Sequence, residues 1–261
     1  MKQQVINSVV IIGSGNLAEA LARAISASGI TLAGIVARNE ERGREVASLA
    51  SSVWYSAVDQ APESDLYLIS VSDRAVEEVA SSPRIPASAI IAHTAGCVSI
   101  DALYAHPNRA VFYPLQTFTR GRAVDFSDLP LFVECSSEEV YAAVEAFAHR
   151  LSRVVNRADS ARRRKIHLAG VFANNFANHV FHLGREVLAS ADLGYDILKP
   201  IMRETLSKAL EAYDPAQVQT GPAVRGDSAS MERHLELIDN ETIRDIYKSI
   251  SKSIWETSKK I

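Results

Sequence analysis

The sequence is short of cysteine. Cys97 and Cys135 are the only two, and their spacing suits neither a metal site nor a disulfide framework. A reducing cytoplasm is the expected setting, with no bound metal. The sequence also lacks any run near the roughly 18 to 20 apolar residues that span a bilayer, so no membrane partner is expected. The opening stretch, MKQQVINSVVII, has no apolar run followed by a small-residue cleavage site and reads as a first strand. Excess charge is missing too. With 28 Lys and Arg against 31 Asp and Glu, the net charge is −3, which gives no electrostatic reason to expect nucleic acid. The one basic run, RRRK from Arg162 to Lys165, reads as a solvated helix start. No internal repeat or low-complexity tract stands out. What remains is a chain of 261 residues, 47% hydrophobic and 23% charged, ordinary for a globular protein and long enough for one large domain or two.

Two patterns divide that length. Short apolar runs at 5–12, 32–36, 66–71, 89–92, 110–113, 131–135 and 153–156 predict strands. Between most of them lie helical stretches, at 16–28, 39–50, from about 73, and at 137–150. Strands alternating with helices imply βαβ units, hence an α/β fold with a parallel sheet covered on both faces. After 159 the strand signals cease. Helices are expected at about 160–190, 195–212, 228–239 and 241–258, with Pro200 either kinking the second or starting it. The expected domains are 1–157, a Rossmann-type nucleotide domain, and 158–261, an all-helical substrate and dimerisation domain.

The first half carries a specific motif. In VVIIGSGNLAEALA, Gly13, Gly15 and Ala18 form G-x-G-x-x-A between an apolar strand and a helix, the context that the dinucleotide fingerprint needs. Gly13, Ser14, Gly15, Asn16, Leu17 and Ala18 are therefore expected at the cofactor pyrophosphate, over the helix N-terminus. Twenty residues past Ala18, where an NAD site places Asp or Glu, stands Arg38. A guanidinium suits a 2′-phosphate, so the expected cofactor is NADP, bound as NADPH. Two strand ends follow. SVSDR brings Ser70, Val71 and Ser72 beside the nicotinamide. AHTAG brings Thr94 to the cofactor and His93 to the substrate. Tyr113 and Gln116, in FYPLQTF, are weaker candidates for the same crevice.

The helical half carries a second pattern. On a wheel of 3.6 residues per turn, His167, Gly170, Asn174, Asn178 and Arg185 share one side of KIHLAGVFANNFANHVFHLGREV, with Asn175 at its edge. No Asp, Glu, Lys or Arg occurs from 166 to 183. Asparagine is a poor helix former, so a His and Asn face reads as a buried polar lining rather than a wet one. His167, Asn174, Asn175 and Asn178 are the catalytic candidates. Later, TGPAVRGD interrupts the helices. Gly221-Pro222 is expected to end one helix, and Asp227 or Ser228 to cap the next. That leaves Arg225 as a cation for a substrate carboxylate, held in place by Asp227 or His234.

Taken together, GSGNLA, AHTAG, YPLQTF, IHLAGVFANNF and TGPAVRGD resemble one family across essentially the whole chain. That family joins a Rossmann-like domain to a C-terminal domain of unknown function and is related to deazaflavin-dependent NADP oxidoreductases. It lies in the superfamily of 6-phosphogluconate, β-hydroxyacid and ketopantoate dehydrogenases and pyrroline-5-carboxylate reductase. The resemblance implies an NADP-dependent oxidoreductase, with some members acting on ketopantoate. The chain departs from the hydroxyacid enzymes in one respect. Their Lys-x-x-x-Asn helix pattern is absent, because Lys165 falls on the opposite side from Asn174 and Asn178, and His167 takes the polar face. His167 is then the expected proton donor to a small carbonyl or imine, above all a 2-oxo acid. The alternatives are an NADP-binding sensor without turnover, or hydride exchange with a deazaflavin. The apolar helix faces suggest a homodimer through the helical half.

Overall fold

The structure is a computed structural model, and it describes residues 5–81 and 85–261. The chain forms two compact units, 1–174 and 175–261.

The first unit begins with β1 (Ser8–Ile12), α1 (Asn16–Ala27), β2 (Thr31–Val36), α2 (Glu40–Ser48) and β3 (Trp54–Tyr55). It continues with β4 (Leu66–Ile69), α3 (Val76–Ala80), β5 (Ile90–His93), β6 (Arg109–Pro114), β7 (Leu131–Cys135), α4 (Glu138–His149), β8 (Val155–Arg157) and α5 (Ser160–Gly170). Among the described residues these strands make one sheet in the order β3-β2-β1-β4-β5-β6-β7-β8. The first six run parallel, in the order of a dinucleotide-binding sheet. The reversal of winding between β1 and β4 opens a crevice at their carboxyl ends. Apolar side chains on the two sheet faces form two separate cores. One includes Val9, Ile11, Leu21 and Phe112, the other Val10, Tyr67, Ile69 and Ile91.

Three expectations change. The sheet is not wholly parallel, because β7 pairs antiparallel to β6. A parallel return needs a crossover of a dozen residues or more, usually a helix, and the 115–130 connection holds none. The strand β3 was not expected, since two residues are too short to show a period. The basic run at 162–165 is not all solvated. Arg163 is 0% exposed, paired with Glu134 of β7 and donating to the Val98 carbonyl. This buried cation fastens α5 to the sheet, which is why the first unit extends to residue 174.

The chain then makes a π-helical turn, Val171–Phe176, within the stretch expected as one helix. The second unit holds α6 (Ala177–Ala189), α7 (Lys199–Glu211), α8 (Pro222–Arg225), α9 (Ser228–Glu236) and α10 (Glu241–Ser258). Pro200 lies in the first turn of α7, so it starts that helix rather than kinking it. Pro222 likewise begins α8 instead of ending a helix. The left-handed Gly226 ends α8 with the Trp255 ring against its backbone, and Asp227 caps α9 by accepting from Ser230. Ala223 and Ile238 are the buried apolar residues among those described in this unit.

Candidate nucleotide site

The carboxyl ends of β1, β2, β4, β5 and β6 surround a cleft of about 1020 Å³ within the first unit. Gly13 turns the chain out of β1 at φ +131°, and any side chain there would overlap the Ser70 carbonyl. Gly15, by contrast, has open space where a side chain would point. It precedes α1, whose start has no side-chain cap. The first-turn N–H groups of a 12-residue helix are therefore left for an anion. Ser14, Asn16 and Leu17 also line the cleft, while Ala18 is fully buried and packs α1 on the sheet.

Arg38 lines the cleft just past β2 and makes no ion pair among the described residues. Arg42, one helical turn on, is already engaged. It bonds Glu19 at 2.5 Å, Glu45 at 2.9 Å and the Ser14 carbonyl at 3.1 Å. Glu19 is 3% exposed and also accepts from the Gly121 amide. Its carboxyl is held below the ordinary range by Arg42 and that amide, which together outweigh the upward push of burial, the largest single influence. Asn16 donates to the Phe118 carbonyl, and Arg120 reaches Glu45. Residues 118–121 are thus tied to α1 at two points and to α2 at a third, and Gln116 and Phe118 form part of the cleft wall. A charged residue on the apolar stripe of α1 was the available signal for Glu19. The 56–58 segment, also lining the cleft, follows the strand that the sequence hid.

At the far end lie Ser70, Val71 and Ser72 after β4, Thr94 and Gly96 after β5, and Tyr113 of β6. His167 of α5 joins them, its Nδ1 3.0 Å from the Tyr113 hydroxyl, with the two rings edge to face. Burial raises the Tyr113 phenol above its ordinary range, so it stays protonated. This pairing was not anticipated, since 54 residues separate the partners.

Other candidates differ from expectation in burial or partners. His93 is 0% exposed and does not reach the cleft. Its Nδ1 accepts from the Ala95 amide, so its Nε2 carries the proton and donates to the Ser99 carbonyl. Burial, reinforced by Arg163, lowers it to about 4, which makes it a neutral brace for the 94–99 loop. Asn174, Asn175 and Asn178 are exposed in the single chain rather than buried. Arg225 is exposed and unpaired among the described residues. Neither expected partner bonds it, although the Ser230 hydrogen bonds and then the Arg225 charge hold the Asp227 carboxyl below the ordinary range. Asp227 is taken by Ser230, and His234 bonds Tyr247 at 2.8 Å.

Comparison with known proteins agrees with this geometry. Residues 8–96 match the family described as NADP oxidoreductase, coenzyme F420-dependent. Residues 129–254 match a domain of unknown function, DUF2520. No curated protein matches the chain. Among solved structures, a candidate NADP oxidoreductase from Bacteroides fragilis is 34% identical, with 98% of this chain and 100% of that one covered and a TM-score of 0.88. A protein from Thermotoga maritima shares the fold at 19% identity, with 96% and 99% covered and a TM-score of 0.78. So does an imine reductase from a Pseudomonas species, at 16% identity, with 95% and 93% covered and a TM-score of 0.65. With a full-length relative at 34% identity, the chain belongs to this family of NADP oxidoreductases, a Rossmann-type domain followed by DUF2520, and its cofactor is NADP.

Proposed function

We propose that this NADP oxidoreductase reduces a small carbonyl or imine that carries a carboxylate, foremost a 2-oxo acid such as ketopantoate. The observation that carries the reading is the His167 ring in the nucleotide cleft, hydrogen-bonded to Tyr113. NADPH, when bound, supplies the hydride. Carbonyl reduction also needs a proton on the forming alkoxide, and a histidine side chain in the cleft is suited to supply one. Asn174, Asn175 and Asn178 are the amides assigned to positioning, and Arg225 is the cation assigned to the carboxylate. Arg38 is assigned to the 2′-phosphate.

The working form is proposed to be a cytoplasmic homodimer. Within the second unit Ile201, Leu210 and Leu237 are 64%, 85% and 75% exposed. A helical unit with so little buried apolar surface does not supply its own core, and a second copy of the same faces would.

The test is NADPH oxidation against a panel of 2-oxo acids, ketopantoate and cyclic imines, with and without an added deazaflavin. Arg225→Lys should raise KM for an acidic substrate about tenfold or more, as expected when a bidentate pair is lost, and leave NADPH affinity intact. Equal loss of both would return Arg225 to a structural turn. NADPH binding with no turnover would favour a sensor, the reading to which the absent lysine points.

A further inference from the structure

We propose that Tyr113 is a positioning residue for the proton donor: its hydroxyl donates to Nδ1 of His167 and holds the neutral imidazole as the Nε2–H tautomer. Nε2–H is then the group that faces the substrate: as its proton passes to the forming alkoxide, Nδ1 takes the Tyr113 proton, and the phenolate left behind is reprotonated from solvent in the cleft. The inference rests on His167 being the donor in the reduction proposed above.

A neutral imidazole has one donor and one acceptor nitrogen, and which is which follows from the partner on the other side of the ring. Here Nδ1 lies 3.0 Å from the Tyr113 hydroxyl. The phenol keeps its proton, and Nδ1 is its one acceptor among the described residues. In the opposite tautomer Nδ1–H would donate to the phenol oxygen, and the O–H would have no acceptor among the described residues. Nε2 has no hydrogen-bond partner among the described residues, so its N–H is left for a substrate oxygen or nitrogen.

Gly96 completes the seat. A side chain at 96 would come within 2.5 Å of Nδ1 and 2.7 Å of Cγ, so the ring can lie there only against a bare backbone. The backbone of 94–99 is in turn fixed by the two hydrogen bonds of His93. The AHTAG segment therefore contributes to the chemistry through His167, although its histidine never faces the cleft.

The experiment is ¹⁵N NMR of the histidine side chains in the full-length protein without ligand, assigned through His167→Gln. The wild type should show a protonated Nε2 and an unprotonated Nδ1 at His167. Tyr113→Phe, which keeps the ring and its packing, should give a mixture of tautomers. It should also lower kcat about tenfold to a hundredfold, less than the roughly 10²–10⁴ of a lost general acid, with KM and NADPH affinity within about twofold. An Nδ1–H tautomer in the wild type, or a tautomer unchanged in Tyr113→Phe, overturns the proposal. Because the spectrum needs no substrate, it separates this inference from the function. Normal turnover by His167→Gln would remove the donor role while leaving the tautomer result to stand alone.

Discussion

At the scale of single residues, what decides a role here is what already occupies the side chain. Arg38 lines the cleft, and Arg42 stands four residues on, in α2. Arg42 is committed to Glu19, Glu45 and the Ser14 carbonyl. Arg38 is uncommitted and borders the cleft. Arg38 is therefore the cation we propose for the 2′-phosphate. Arg38→Ala should raise KM for NADPH about tenfold to a hundredfold, the cost of a charge-assisted pair, and leave KM for NADH nearly unchanged. An unaltered preference in steady-state kinetics would contradict the assignment. These residues were legible because fingerprint and cation are tied by short spacings along one βαβ unit. His93 was not. A histidine closing a buried strand looks the same in sequence whether its ring turns to the cleft or into the loop. The Tyr113–His167 pair was half legible: each residue was a candidate, but nothing local shows that strand and helix meet.

At the scale of elements, the strands and helices of the first unit follow from their apolar periods, and the exceptions have physical causes. The antiparallel β7 reflects a 115–130 connection with no helix to carry a parallel return. Arg163 was misread because a run of four basic residues looks wet, whereas one of the four points inward at Glu134. The 94–99 loop makes a measurable difference to stability through the histidine that braces it. His93 is held near 4 when folded and returns to about 6.5 when unfolded. Below pH 6.5 the unfolded chain binds a proton that the folded chain refuses, so stability is full above that pH and falls as pH drops toward 4. The slope is about 1.4 kcal/mol per pH unit, for a total of about 3 kcal/mol. Denaturant melts at pH 7 and pH 4 should show the wild type losing about that much more than His93→Gln. Parallel losses would mean that His93 takes up its proton in the folded state.

At the scale of the whole molecule, the two units differ in how far they stand alone. The first has two sheet-face cores, while the second leaves many of its large apolar side chains exposed and buries only Ala223 and Ile238 among its described apolar residues. The sequence marked those helix faces as apolar and could not say what covers them. It assigned the Asn174 to Asn178 face to a buried lining, and in the single chain that face is exposed as well. The proposed second copy would meet both facts. Sedimentation equilibrium should return a dimer across the micromolar range, and a stable monomer there would contradict it. The central claim, however, is that the protein is a reductase whose proton comes from His167. The most direct measurement is stopped-flow NADPH consumption by wild type and His167→Gln, each saturated with NADPH and mixed with the 2-oxo acids and cyclic imines in turn. The account predicts that at least one compound consumes NADPH stoichiometrically with the wild type, and about 10²–10⁴ times more slowly with His167→Gln at equal NADPH affinity. Tight NADPH binding without consumption by any compound, or equal rates for the two proteins, would contradict it.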